Sequence, residues 1–127
     1  MSVARRGHSR KERIVLILEA GEYALSTRKL VLETAGLNVI SAVTAEQAYR
    51  LLKRCKFDVA LLDIDISDEP LADIARRLTQ EGGLDVFALT AREWEPDELR
   101  GLVRGIFQKM NDPQIMVNRV LEYLGEA

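Results

Sequence analysis

The sequence predicts an α/β fold in three layers, a doubly wound parallel sheet of five strands covered by five helices. Three observations lead there. The apolar runs at 14–18, 59–62 and 86–89 show no polar alternation, as in strands buried on both faces. Between such runs, apolar residues recur at helical spacing, so strand and helix patterns alternate five times. The 127 residues, 47% of them hydrophobic, suffice to fill the core of one domain.

The first strand is Ile14–Leu18. A first helix over 26–35 stops at Gly36, glycine being the usual residue just past a helix end. Asn38–Ala42 is less apolar and reads as a strand nearer an edge. In the second helix Ala45, Ala48, Leu51, Leu52 and Cys55 make one stripe, and Thr44-Ala45-Glu46-Gln47 has the form of a capping box. Cys55 thus reads as a packing residue. It is the only cysteine and His8 the only histidine, which excludes an internal disulfide and a Cys/His zinc site. The third strand, 59–62, leads to a helix with Leu71, Ile74, Ala75 and Leu78 on one face. After the fourth strand, 86–89, a short fourth helix has to fit within 96–103, where Gly101 weakens it. The weaker strand 106–108 precedes a last helix with Asp112 as N-cap, Pro113 at its first position, and Met116, Val117, Val120, Leu121 and Leu124 facing inward.

Arg5, Arg6, Arg10, Lys11 and Arg13 crowd residues 1–13, which read as a basic arm preceding the domain at 14–127. The formal net charge of -2 argues against a nucleic-acid partner for the whole domain. No apolar run is long enough for a bilayer or a signal peptide, so a soluble, cytoplasmic protein with no membrane partner is expected.

In the flavodoxin-like version of such a sheet, with strand order 2-1-3-4-5, ligands bind outside the carboxyl ends of the strands where the order reverses. Four polar residues stand at strand ends: Glu19, Asp63, Thr90 and Lys109. Asp63 follows an apolar run, where a carboxylate needs a partner. It can act as a nucleophile or a magnesium ligand, and Glu19 can help hold a hard cation. Thr90 can donate to a phosphoryl oxygen, and Lys109 offers it a point charge. Together they describe a site for moving a phosphoryl group onto a carboxylate.

On these residues the chain resembles the receiver domain of two-component response regulators. Residues 57–66, FDVALLDIDI, are similar to that family's third strand with its terminal Asp. Over 14–66 the pattern fits without a gap, including Ala35-Gly36 and Asp58. Leu89-Thr90-Ala91 and Lys109 followed by Asp112-Pro113 resemble the family's later motifs. The resemblance implies that Asp63 is the phospho-acceptor, Thr90 the switch hydroxyl and Lys109 the phosphate-contacting lysine. It also implies a magnesium ion held by Glu19, Asp63 and the residue at Asp65, whose backbone carbonyl serves in family members. A histidine kinase or histidine phosphotransfer protein is the implied phosphoryl donor. The chain ends soon after its last helix, so a stand-alone receiver is expected, signalling to a downstream protein by contact. It would not be an enzyme beyond self-catalysed phosphotransfer and autodephosphorylation.

The sequence departs from the family at four places. Ala20 replaces the second acid of the acidic pair, which weakens the expected magnesium site. Glu19, Glu22 or the Asp65 carboxylate could compensate, and Asp65, two residues past the acceptor, is the favoured one. The switch aromatic is replaced by Ile106, with Phe107 expected on the opposite strand face. Met110 follows Lys109 in place of a proline, so a trans bond is expected there. The segment between Thr90 and Lys109, which holds Arg92 and Trp94, is short. That alters the usual signalling face and points to an unusual partner or a non-standard homodimer. The alternative is a degenerate pseudo-receiver that binds partners without phosphorylation. A ligand-binding module or enzyme on the same fold is disfavoured, with neither a glycine-rich phosphate loop nor a Ser-His-Asp set.

Overall fold

Strand and helix alternate in the computed structural model, which describes residues 12–91 and 96–125. Most of the basic arm, Arg92 and Trp94 lie outside the described residues. The elements are β1 (Ile14–Leu18), α1 (Glu22–Thr34), β2 (Asn38–Ala42), α2 (Ala45–Leu52), β3 (Val59–Asp63), α3 (Leu71–Gly82), β4 (Val86–Thr90), β5 (Gly105–Gln108) and α4 (Pro113–Tyr123). All strand pairs are parallel, in the order β2-β1-β3-β4-β5. This is the flavodoxin-like architecture.

The missing polar alternation has a direct cause. Val15 and Ile17 of β1 join one core with Leu61 and Leu89, beneath Leu25 and Leu32 of α1 and Val117 and Val120 of α4. Leu16 and Leu18 join the other with Leu62 and Ala88, beneath Ala45 and Ala48 of α2 and Ile74 and Leu78 of α3. Alternate residues of one strand therefore serve two cores, and both must be apolar. Ile106 and Phe107 divide in the same way, as expected: Ile106 packs toward α3, and Phe107 stacks on Phe87 at 5.1 Å in the α1/α4 core.

Two elements differ from expectation. Among the described residues there are four α-helices rather than five; a 3-10 turn, Asp97–Leu99, stands where the fourth helix was expected. Pro96 precedes it, and Gly101, at a φ of +80°, turns the chain left-handed before another helical turn can form. Leu99 is nonetheless fully buried against the α3 core, with Leu102 and Val103 packed beside it. The second difference is the start of α1, which begins at Glu22, a turn before the expected 26. Its N-cap is Gly21, which offers no side-chain cap, so no polar signal marks the start. The end falls as expected: the Leu37 N–H donates to the Leu32 carbonyl and the Gly36 N–H to that of Glu33, with Gly36 at a φ of +94°. This is a Schellman motif, closed by the buried pair Leu32 and Leu37.

The expected caps form. Thr44 accepts from the Gln47 N–H and Asp112 from the Gln114 N–H. The Gln47 side chain reaches back to the Val43 N–H rather than to that of Thr44, which shifts the capping box by one residue. Asp58, noted in sequence as preceding β3, ties β3 to β1: its Oδ2 accepts from the Ile14 N–H at 2.8 Å, and its own N–H donates to the Ile14 carbonyl at 2.8 Å. No cis peptide occurs among the described residues, so the bond after Lys109 is trans.

Candidate functional site

The crossovers from β1 and β3 leave toward opposite faces, so a crevice opens above the carboxyl ends of these neighbouring strands. Glu19 follows β1 and is held there by its N–H to the Ala42 carbonyl, 3.0 Å. Asp63 closes β3. Thr90 closes β4, one step beyond the level of Asp63, which pairs with Leu89. Lys109 follows β5, its N–H donating to the Thr90 carbonyl at 2.7 Å. The ladders thus run on to the functional residues, which fixes their backbones. Glu19, Asp63 and Thr90 are the buried polar residues of the described chain.

The structure brings the sequence-derived residues together. Lys109 Nζ lies 2.7 Å from Asp63 Oδ1, 3.6 Å from Asp65 Oδ2 and 3.8 Å from Glu19 Oε2. The Asp65 N–H donates to the same Asp63 Oδ1 at 3.0 Å. One carboxylate oxygen is therefore held twice, and the orientation of the group is set. Thr90 lies at the adjacent strand end and is completely buried. Asp65 is the exposed member, its side chain 62% accessible. Ala20 is exposed, as is Glu22 on the first turn of α1.

Arg28 was not singled out in the sequence, and it is the largest addition. Its Nε donates to Glu19 Oε1 and its Nη2 to Oε2, both at 2.8 Å. Glu19 is only 1% exposed, so this bidentate pair is largely withdrawn from water. The geometry follows from the early start of α1. Side chains on a helix lean toward its N-terminus, and Arg28, in the second turn, reaches back to Glu19, two residues before the N-cap Gly21. A helix beginning at 26 would have hidden this relation. Around Lys109 and Arg28 stand Glu19, Asp63 and Asp65, so three carboxylates meet two cations and one formal negative charge remains.

The loop after β3 is anchored at its far end. Both oxygens of Asp68 lie near the Ala45 N–H, at 3.2 and 3.0 Å, where a carboxylate suits the N-terminus of α2. The Tyr49 hydroxyl donates to Glu69 at 2.8 Å, with the Arg77 guanidinium over its ring. Burial, followed by the Glu69 carboxylate, pushes the Tyr49 hydroxyl above its usual range.

As arranged, the donors do not fit a tightly held magnesium ion. Both Glu19 oxygens are taken by Arg28, Asp63 Oδ1 is taken by Lys109 and the Asp65 amide, and Ala20 supplies no oxygen. Among the described residues no group of three His, Cys, Asp or Glu side chains is placed to hold a metal.

A parallel sheet in the order 2-1-3-4-5, with an acid, a threonine and a lysine at the carboxyl ends of β3, β4 and β5, defines a flavodoxin-like α/β domain. The sequence pattern of the response regulator receiver domain matches residues 15–120, and the chain belongs to that family. Response regulator GtcR of Aneurinibacillus migulanus is 28% identical over 99 residues, covering 78% of this chain and 41% of that protein. The aerobic respiration control protein ArcA of Escherichia coli (strain K12) is 24% identical over 99 residues, covering 78% and 42%. The chain thus spans about two fifths of the length of these curated relatives. Among solved structures, the receiver domain of a sensor histidine kinase from Pseudomonas aeruginosa, with a magnesium ion coordinated in its active-site cleft, superposes with a TM-score of 0.80 at 20% identity, covering 91% of this chain and 99% of that one. A response regulator from Thermotoga maritima gives 0.78 at 21% identity, with the same coverage of 91% and 99%. Among the described residues no helix is long and apolar enough to cross a membrane.

Proposed function

We propose that the domain accepts a phosphoryl group on Asp63 from a histidine kinase or histidine phosphotransfer protein and signals through protein contacts in the cytoplasm. The observation that carries this reading is the clamp on Asp63 Oδ1 by Lys109 and the Asp65 amide, at the mouth of the β1/β3 crevice. It leaves Oδ2 to attack. The new bond joins that oxygen to phosphorus; the phosphorus–nitrogen bond of the donor phosphohistidine breaks, and the imidazole departs with the electron pair. Lys109 offsets charge on the phosphoryl oxygens, and Thr90 provides the hydroxyl that rearranges afterwards. The only chemistry is this transfer and the later hydrolysis of the acyl phosphate, in which water takes the phosphoryl group as inorganic phosphate and the Asp63 carboxylate leaves with the electron pair, so the protein is a signalling acceptor rather than an enzyme with an external substrate. Magnesium, for which Asp63 and Asp65 are the remaining oxygen donors, belongs to this reading as a weak ligand. The downstream target is a protein or a second copy of the chain.

The test is intact-mass measurement after incubation with acetyl phosphate or a phosphorylated phosphotransfer protein. One phosphoryl adduct is expected on the native chain and none on Asp63→Asn. Adduct on neither would end the proposal.

One observation favours the degenerate pseudo-receiver as a second reading: the Arg28 fork takes up both oxygens of Glu19, the one acid present at the acidic pair. In that case partner binding is the same for the native chain and Asp63→Asn, which a pull-down with defined partners would show.

A further inference from the structure

We infer that Arg28 is the resident cation of this site, excluding magnesium from Glu19 and supplying, with Lys109, the positive charge that an incoming anion meets. Two observations carry this. The guanidinium engages both oxygens of a carboxylate that is 1% exposed, a match of fork to carboxylate that a single ammonium does not make. Arg28 and Lys109 also line one cleft between α1 and the β5–α4 connection, with Thr27 and Pro113 beside them. Each keeps some access to that cleft, with side chains 14% and 17% exposed.

The charge count points the same way. A site with three carboxylates and one lysine calls for a dication. With Arg28 added, one formal negative charge remains, and a dication would overshoot neutrality. To gain Glu19, magnesium would have to break two charge-assisted bonds and shed water it gives up reluctantly. Ala20 fits this arrangement: with no second acid, one arginine satisfies the acidic position alone. The position thus exchanges an external metal for an internal cation. Only the identity of the anion, a phosphoryl group, rests on the receiver reading above.

The experiment is a magnesium titration followed by calorimetry and amide NMR on the native chain, Arg28→Ala, and Arg28→Met combined with Glu19→Gln. Arg28→Ala releases Glu19 and is expected to tighten magnesium binding by at least about tenfold. The double variant, which removes the freed carboxylate, is expected to show no gain. Arg28→Ala leaves a buried carboxylate without its partner and is expected to melt earlier, so its melting is also followed against magnesium. A rise in Tm with added magnesium, absent in the double variant, reads the same gain. Unchanged or weaker magnesium binding by Arg28→Ala, with no rise in Tm, overturns the inference. The second arm is phosphoryl uptake from acetyl phosphate, in which Asp63 oxygen binds phosphorus and acetate leaves with the electron pair. Uptake by the native chain should persist in EDTA within about threefold of its rate in magnesium and should become metal-dependent in Arg28→Ala. Native uptake that requires magnesium overturns the inference. If no variant takes up phosphoryl under any condition, the phospho-acceptor reading fails, while the magnesium arm still decides the role of Arg28.

Discussion

Asp58 and Asp63 bracket β3, and their carboxylates do opposite things. Asp63 faces the crevice, where its Oδ1 meets Lys109 and the Asp65 amide. Asp58 is spent on structure, accepting from the Ile14 amide at the amino end of the sheet. Replacing it with alanine leaves a partly buried N–H without this acceptor, a loss of about 1–3 kcal/mol. Asp58→Asn keeps an oxygen in place and should recover most of it; urea unfolding midpoints with constant slope would separate the two variants. At this scale the sequence was legible for residues whose position on a strand end is fixed by the strand itself. Glu19, Asp63 and Thr90 were found because an apolar run delivers each of them to the same edge, and Lys109 because it ends the weaker strand beside them. Arg28 was not, because its role depends on where a helix begins, and Gly21 leaves that beginning unmarked.

Among the elements, the same rule separates what was read from what was missed. α2, α3 and α4 carry caps or stripes in their own residues, and they form as expected. The segment after β4 carries neither, and only the isolated apolar residues Leu99, Leu102 and Val103 hint at contact. A 3-10 turn buries Leu99 with fewer residues than a helix requires, and Leu102 and Val103 are half-buried beside it. α4 and the sheet are further joined by an aromatic group. Tyr123 packs edge-on to Phe87, its ring centroid 5.4 Å away, and its hydroxyl donates to Asp85, which Arg104 also meets at 3.6 Å. Burial first, then the Asp85 carboxylate, push this hydroxyl from 10.0 up to about 12. The folded protein therefore keeps the proton in a range where the unfolded chain gives it up. The stability conferred by the neutral hydroxyl is complete below about pH 10 and drains as pH climbs through about 12. Tyr123→Phe should cost about 1 kcal/mol at neutral pH and make the alkaline loss shallower. Urea midpoints on either side of the tyrosine range would show both effects.

For the whole molecule, two cores on either side of one sheet share every central strand, so damage to one is felt by both. Leu99, in the connection that replaces the fourth helix, is fully buried, at 0% exposure. Leu99→Ala should destabilise the domain by about 2–5 kcal/mol, the range for a leucine removed from a close-packed core. Chemical denaturation would check this, and a loss below about 1 kcal/mol would mean that the connection is not held by the α3 core. The doubly wound architecture itself was legible because unbroken apolar runs have few physical explanations in a chain of this size. The division of labour between Lys109 and Arg28 was not, since it arises only when α1, β1 and β5 are brought together.

The site's lysine and its acceptor do not share the same security. Asp63 ends a strand flanked on both sides, whereas Lys109 follows β5, an outermost strand whose only ladder partner among the described residues is β4. When such a sheet frays, it frays from its rim, and the first departure is the ammonium rather than the carboxylate. On gradual heating, the phosphoryl acceptance proposed for Asp63 should then fade while the helical circular dichroism signal is still intact: the molecule would stop responding before it stops being folded.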